Sequence, residues 1–568
     1  MSNYERAKKQ ADELDKDIIE LISQNNHVKV EAGAGAGKTY SLHKVIDWFL
    51  LNKVKDLNKQ QRKIACITYT NAAVDVIKQR LGNNKEIEPL TIHSFAWENI
   101  KQFQSSLKNV VLQLNLVDEN ECLNFKKITY SLGVRYIEND ILYLYHNDVL
   151  KIFTYLLDNA KFRRVLQSKY SAILIDEYQD SDKEIMKKFI QYFIEQDSGM
   201  QICLFGDAWQ TIYQTNNACG EINNENIKVV GKTVNFRSAG AIVESLNKIR
   251  PSLPQITAID DYDGKCYVVD CNDYNGERRI DGQFKGDLPI EILNARLKKI
   301  EEKMTINGET IKTLMITHKV LASHQGYDNL LRIMDDRLKD LSDVLFAFVV
   351  DVIEGIYYSF EQKKISVLYE TLKTKQIPIS SKSDKIKWNK LFEEMTKKRE
   401  GCIFDMLELV INSKIVPVPI EILNIYDDMK NNLDKPYGKG KTSELKIIKY
   451  SEFVAAKEFF KPNSIYSTDH GVKGEEYDNV IFVISKGWNQ YQFDKYLPMS
   501  GKSMSEKDIK NFERNRNLFY VGCSRAKKRL CLFITHKVED NFKQYLKNIF
   551  GEDNYYSYNN FINNFDTY

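Results

Sequence analysis

Two adjacent carboxylates, Asp176 and Glu177, interrupt the run Ile173-Leu174-Ile175-Asp176-Glu177-Tyr178-Gln179-Asp180. Three apolar β-formers lead straight into them, as in a buried central strand that delivers acid groups to a site at its C-terminal edge. There Asp176 is expected to hold a Mg²⁺ through its water shell, and Glu177 to orient and deprotonate an attacking water. Taken alone, the run fits a strand ending in a solvated acidic turn equally well. A second segment decides between them. Ala32-Gly33-Ala34-Gly35-Ala36-Gly37-Lys38-Thr39 follows the alternating Val28-Lys29-Val30 and precedes a helical pattern from Leu42 to Leu50. Strand, glycine loop, then helix is the context of a phosphate-binding P-loop, although Ala32 stands where the general pattern has Gly. The glycines let backbone N–H groups curl around the β-phosphate, and the helix N-terminus adds partial positive charge. Lys38 is expected to reach the β- and γ-phosphates, and Thr39 to ligate Mg²⁺ opposite Asp176. The chemistry implied is nucleoside triphosphate hydrolysis.

The elements that must position these groups belong to a large chain. At 568 residues and 66.2 kDa it should divide into several domains, because single cores rarely grow past roughly 250–300 residues. A hydrophobic content of 43% with 28% charged residues is that of a globular protein. With a net charge of only +3, any nucleic-acid surface must be a local patch. The nine cysteines (Cys66, Cys122, Cys203, Cys219, Cys266, Cys271, Cys402, Cys523 and Cys531) contain no Cys-x-x-Cys pair and no zinc-ribbon or iron–sulfur spacing. Several lie in apolar, strand-like runs, which suits reduced, buried thiols in a cytoplasmic protein. No export signal and no membrane-spanning stretch is expected.

Further polar and aromatic clusters follow strand-like runs. Lys63-Ile64-Ala65-Cys66-Ile67 ends in Thr68-Tyr69-Thr70-Asn71, and Thr91-Ile92-His93-Ser94-Phe95 comes next. Such groups suit phosphate hydrogen bonds with a base stacked on a ring, and equally suit capped helix starts. Leu204-Phe205-Gly206-Asp207-Ala208-Trp209-Gln210-Thr211-Ile212-Tyr213 is a third strand with an acidic end. Asn235-Phe236-Arg237-Ser238, then Ser467-Thr468-Asp469-His470-Gly471-Val472-Lys473-Gly474-Glu475-Glu476-Tyr477, and last Asn517 to Lys527 with Ser524-Arg525-Ala526 complete the series.

In this order the segments resemble the motifs of the UvrD/Rep/PcrA-type superfamily 1 DNA helicases, which include the motor parts of RecB and AddA. The resemblance runs from about residue 28 to about residue 535. It implies an α/β fold of two RecA-like P-loop lobes with parallel sheets, each carrying a mostly helical insertion. Lobe 1A takes 1–100 and 165–238, insertion 1B 101–164, lobe 2A 239–320 and 448–568, and insertion 2B 321–447. The lobes sandwich ATP. Lys38, Thr39, Asp176 and Glu177 form the hydrolytic core, Gln210 senses the γ-phosphate, and Arg237 and Arg525 act as arginine fingers, worth about 10³–10⁵ in rate. Phe236 stands where the family has the Tyr that stacks on adenine, Glu476 contacts the ribose, and Tyr40 replaces the Arg that commonly follows the Lys-Thr pair. Gln10 is a poor match to the family's adenine-reading Gln. Single-stranded DNA is carried over Tyr69, Thr70, Asn71, His93, Ser94, Tyr213, Thr468, His470 and Lys473.

The resemblance implies ATP and Mg²⁺ as cofactors and single-stranded and tailed duplex DNA as partners, with movement 3′ to 5′. The third motif departs from the pattern. Tyr213 is followed by Gln214-Thr215-Asn216-Asn217-Ala218, without the family's second stacking Trp and its Arg. Trp209 is placed either to compensate or to pack inside. A Gly/Lys-rich segment, Lys435 to Lys441, reads as a solvated linker or a DNA-backbone contact. The Asn- and Tyr-rich C-terminal tail reads as an assembly surface or a polar terminus. Only about 40 residues follow Arg525, too few for the nuclease domain of the RecB and AddA branch. Ile175 to Asp182 resembles the helicase subunits of bacterial phage-defence systems, Gabija-type among them, which act beside nucleases. The expected function is a single-strand-stimulated ATPase that translocates and unwinds, in antiphage defence or DNA repair. The alternative is a regulatory ATPase subunit, sensing DNA or nucleotide, that controls a partner nuclease (OLD/TOPRIM-type by analogy) without processive unwinding.

Overall fold

The computed structural model describes residues 2–564 except 69, 83, 119–124, 132–134, 197, 213–216, 261–263, 281, 307, 316–317, 340–342, 364–367, 369–370, 373–380, 415, 461–463, 469–473 and 487–490, and the side chains at 72, 283, 318–320, 336, 339 and 468. The chain opens with helix α1 (Asn3–Ser23), whose first turn is closed by a Ser2/Glu5 capping box. Strand β1 (His27–Ala32) follows, then α2 (Lys38–Asn52), β2 (Lys63–Thr68), α3 (Asn71–Leu81), β3 (Ile87–Thr91) and α4 (Ile92–Ile100).

The next segment differs from the helical expectation for 101–164. Besides the helix Gln104–Gln113 and α5 (His146–Leu156), it holds β4 (Lys127–Tyr130), β5 (Tyr136–Glu138) and β6 (Ile141–Leu144) in the sheet order β4-β6-β5. Residues Asn139 and Asp140, both at positive φ (49° and 62°), make the tight turn of the β5–β6 hairpin. Ile and Tyr on alternate positions then favour strands over a helix, with Tyr136 stacked on Tyr143 across the pair.

Strands β7 (Tyr170–Asp176), β8 (Gln201–Gly206) and β9 (Ile227–Lys232) complete an all-parallel sheet of order β3-β2-β7-β8-β1-β9. Its central strands β1, β2, β7 and β8 are largely buried on both faces, as parallel strands between helices must be. Along β7, Ile173 and Ile175 enter one core while Ala172 and Leu174 enter the other. Register brings the chemistry to one edge: Asp176 pairs with Phe205, and Glu31 with Gly206.

A second lobe is reached through β10 (Val234–Asn235), α6 (Gly240–Ile249) and β11 (Ile256–Thr257). Its strands are β12 (Lys265–Asp270), β13 (Ile311–Met315), β16 (Tyr466–Thr468), β17 (Tyr477–Ile484), β18 (Ala526–Ile534) and β19 (Tyr555–Ser557), again parallel, in the order β16-β13-β17-β18-β12-β19. Val480, Phe482, Leu530 and Leu532 pack under α7 (Glu506–Cys523) and α8 (Asp540–Phe550); Ile481, Val483, Cys531 and Phe533 join the opposite core. Both lobes are RecA-like. Cys66, Cys203, Cys266, Cys271, Cys523 and Cys531 are buried free thiols; Cys219 and Cys402 are half-buried.

Between β13 and β16 lies a helical insertion that shares one continuous core with this lobe. Within it Lys435 to Lys441 forms neither linker nor free basic loop. Strands β14 (Pro436–Tyr437) and β15 (Gly440–Lys441) make a hairpin, docked through Lys439 N–H to Ile333 C=O at 2.8 Å. Lys435 pairs with Asp428 at 2.6 Å, Lys441 with Asp434 at 2.7 Å, and Lys439 with Asp335. The C-terminal segment is likewise built in. Strand β19 pairs with β12, and α9 (Tyr558–Asn564) buries Tyr558 and Phe561.

Candidate nucleotide cleft and strand path

The loop after β1 turns through left-handed glycines, Gly35 at φ 74° and Gly37 at φ 72°. A side chain at Gly35 would come within 2.7 Å of Asn235 Oδ1, so the loop is closed from the β10 side as well. Lys38 opens α2 and its ammonium pairs with Glu177, with Asp176 Oδ1 at 3.7 Å. Burial works against the charge of Lys38, yet the two carboxylates prevail and hold it above its ordinary value. Burial pushes the Asp176 carboxyl up while Lys38 pulls it down. Glu177 sits at φ 50°, ψ 44°, a left-handed conformation that a non-glycine residue adopts at some cost. That turn carries its carboxylate back toward the loop.

A relay of side chains leaves this acid pair. Gln179 donates to Glu177 at 2.5 Å and accepts from the Asp207 backbone N–H at 3.1 Å. Gly206 is required for that approach, since a Cβ there would stand 2.2 Å from Gln179 Oε1. Fully buried Asp207 accepts from Gln210 Nε2 at 2.8 Å, and Gln210 Oε1 accepts from Arg525 Nη2 at 3.3 Å. Asp207 is also held by Arg250, which reaches Glu31 at 3.0 Å with its other arm.

The second lobe supplies the opposite wall. Glu476 precedes β17 and Arg525 precedes β18, so both lie at the N-terminal edge of that sheet, facing the C-terminal edge of the first. Arg237 pairs with Glu476 at 2.9 Å and donates to the Ser524 carbonyl at 3.0 Å. Lys527 holds Glu476 from the other side at 2.8 Å. Arg525 is 1% exposed, and burial with the neighbouring Arg237 depresses its guanidinium to about 9. A cation held this reluctantly gains most from an incoming anion. Together Ala32 to Thr39, Glu177, Gln210, Phe236, Arg237, Glu476 and Arg525 line a cleft of about 300 Å³. A larger cavity of about 680 Å³, near Asn25, Lys53, Arg62 and Gln201, lies at the other edge of the first sheet and holds none of these groups.

Residues 15–216 match the AAA domain family and residues 373–534 the viral superfamily 1 RNA helicase core domain. The chain is 25% identical to the Gabija protein GajB of Bacillus cereus (strain HuB5-5), over 94% of this chain and 96% of that one. The GajB of Bacillus cereus (strain VD045) is 24% identical over 94% and 97%. The ATP-dependent DNA helicase Rep of Buchnera aphidicola subsp. Schizaphis graminum is 23% identical over 91% and 92%. The chain is similar to the superfamily 1 helicases. It resembles the Rep type and the Gabija subunits along nearly its whole length, a likeness that implies nucleotide use.

Around the cleft, several placements carry no sequence signal. Tyr520 accepts a hydrogen bond from the Ala34 N–H of the loop at 3.0 Å, from the second lobe. Gln255 and Asn235 both donate to the Ala34 carbonyl. Tyr520 and Asn235 lay inside recognised motifs, where the only missing signal was which loop they touch. Arg250 and Gln255 lay in none. Tyr40 is exposed at the rim beneath Lys44 and does not line the cleft. Gln10 bonds Thr233 Oγ1 at 2.9 Å, just ahead of β10.

The expected strand-path residues fall at the sheet edges. Thr70 caps α3 and Asn71 opens it, at the end of β2. His93 and Ser94 open α4 at the end of β3, with Thr91 Oγ1 accepting from the Ser94 N–H. Thr468 ends β16, the edge strand of the second sheet. Tyr69, Tyr213, His470, Lys473 and the side chain of Thr468 lie outside the described residues. Trp209 is half-buried. Its ring is wedged between Arg516 at 3.9 Å and Arg250 at 5.2 Å, edge-on to Tyr520 at 5.8 Å. It packs the junction between the lobes.

Proposed function

We propose that the protein is an ATP-driven translocase and helicase on DNA, moving 3′ to 5′ along a single strand. The observation that carries the proposal is the hydrogen bond from Arg525 to Gln210 across the cleft. Through it, whatever binds between the lobes acts on the motif that leads from Glu177 to the second lobe. Lys38 turns from its carboxylates to the β- and γ-phosphates, and Asp176 loses its counter-charge. A hydrated divalent cation suits that vacancy, held by Asp176, Thr39 and phosphate oxygens, as Mg²⁺ sites usually combine one or two carboxylates with phosphate. Mg²⁺ would neutralise charge developing on the β- and γ-phosphates. Glu177 takes a proton from the attacking water, while Arg237 and Arg525 stabilise charge spreading over the transferring phosphoryl group.

The setting we infer is antiphage defence alongside a nuclease partner, on the full-length likeness to the Gabija subunits. A regulatory ATPase that controls such a partner without processive unwinding is the second reading. It is favoured by Trp209, whose ring is committed to the lobe junction in a third motif that lacks the family's second stacking Trp. ATP turnover by the purified protein, with and without single-stranded DNA or RNA, tests the shared core. Turnover stimulated by DNA is expected. Turnover equal in all three conditions would overturn the nucleic-acid part.

A further inference from the structure

Arg250 caps the C-terminus of α6, a helix whose Ile242, Leu246 and Ile249 pack in the core of the second lobe. Its guanidinium crosses to the first lobe. There Nη1 donates to Asp207 Oδ1 at 2.7 Å and Nη2 to Glu31 Oε1 at 3.0 Å. Arg250 is 4% exposed and does not line the nucleotide cleft. Burial opposes its charge, but Asp207 outweighs that penalty and holds the guanidinium above its ordinary value.

The two acids anchor different things. Glu31 lies in β1, immediately ahead of the phosphate loop, and also accepts from the Ala208 N–H at 3.1 Å and the Tyr178 hydroxyl at 2.8 Å. Asp207 is buried and gives its Oδ2 to Gln210 Nε2 at 2.8 Å. That bond decides which end of the Gln210 amide faces the second lobe. With the nitrogen on Asp207, the oxygen accepts from Arg525 Nη2 at 3.3 Å. Arg250 thus fixes the carboxylate that fixes the amide. Tyr520, whose ring lies 5.6 Å from the guanidinium, accepts from the Ala34 N–H of the loop. A buried ion pair seldom adds net stability over well-packed apolar side chains, whereas a guanidinium fork sets geometry at two points at once.

We propose that Arg250 is a positioning residue for hydrolysis: by bridging Glu31 and Asp207 it holds the third motif against β1 and presents the Gln210 amide to the γ-phosphate. This rests on the hydrolytic reading of the cleft and extends it to a residue outside every motif. Lysine cannot replace it, because one ammonium on a flexible stem does not span both acids in a fixed plane.

Steady-state ATP turnover by the full chain, at saturating single-stranded DNA, tests the assignment. Arg250→Lys should lower kcat about tenfold to hundredfold, as a displaced group near the reacting atoms does, with KM for ATP changed less than about twofold. In Gln210→Ala, followed at higher enzyme concentration, the same substitution should change kcat less than about twofold, since the amide it positions is gone. Wild-type kcat in Arg250→Lys, or the same loss in both backgrounds, would overturn the proposal and leave a purely structural ion pair. Should the lysine variant fail to fold, Glu31→Gln is read the same way, because it keeps the shape and removes only the charge of one anchor. Its loss of kcat should also vanish in Gln210→Ala; a loss that persists there, or no loss at all, overturns the proposal too. Wild type without ATP turnover takes the hydrolytic reading down instead.

Discussion

Arg525 of the second lobe donates from Nη2 to the side-chain oxygen of Gln210 in the first at 3.3 Å, beside the phosphate loop. Gln210 in turn bonds Asp207, whose N–H bonds Gln179, which bonds Glu177. Glu177, the proposed water-activating acid, and Arg525 of the opposite lobe therefore belong to one chain of contacts. Removing either end should cost turnover in a non-additive way. Arg525→Ala is expected to lower kcat about 10³–10⁵-fold, and Arg525→Lys to recover little, because an ammonium cannot form the same fork. In the cycle with Gln210→Ala, the double variant should lose less than the product of the two single losses. Strictly multiplicative losses would mean that the contact does not couple the two residues.

Lys38 pairs with both Asp176 and Glu177. Lys38→Ala should reduce hydrolysis to background, measured as phosphate release at saturating ATP. Retained turnover would refute the phosphate-loop assignment.

Arg250 illustrates what sequence could and could not disclose. The loop and the acid pair were legible because each is contiguous, and strand, loop and helix follow one another. Arg250 lies outside every motif and acquires its role only when α6 folds against Asp207 and Glu31. Breaking a buried pair leaves an uncompensated charge, so Arg250→Met should cost about 3–5 kcal/mol. Urea unfolding would read this directly. The double variant Arg250→Met/Asp207→Asn should recover part of the loss; a double variant worse than the sum would argue against the pair.

The same distinction explains the other departures. Residues 127–144 read as part of a helical insertion because their three short strands fill only one small sheet, and their turn depends on the positive φ of Asn139 and Asp140. The lysines at 435, 439 and 441 look free in sequence, yet Asp428, Asp335 and Asp434 neutralise them in the hairpin. The tail's tyrosines carry no strong strand signal until β12 offers an edge to Tyr555 and Tyr556. Sheet order and the facing of the two edges are tertiary facts, which motif order implied only through resemblance.

A buried ionic cluster at the root of α2 gives a pH-dependent prediction. Asp15 accepts from Ser41 at 2.5 Å and pairs with Lys232 at 2.9 Å and Lys44 at 3.0 Å. Burial alone would raise its carboxyl, but the Ser41 bond and the lysines outweigh it and hold the group below 3.8. A depressed carboxylate stabilises fully above its unfolded value and loses that contribution as pH falls through the folded one. Wild type should therefore lose stability below about pH 4. Asp15→Asn should be weaker at pH 7 and show a flatter acid limb in urea midpoints between neutral and acid pH. Parallel curves would contradict the assignment.

The central claim is that hydrolysis between the lobes drives movement along DNA, and strand displacement tests it most directly. Purified protein with ATP and Mg²⁺ is given otherwise identical duplexes bearing a 3′ or a 5′ single-stranded tail. The account predicts ATP-dependent release of the labelled strand from the 3′-tailed duplex, little from the 5′-tailed one, and none with Lys38→Ala. Rapid DNA-stimulated ATP consumption with no displacement from either duplex would contradict it, and would favour a regulatory ATPase instead.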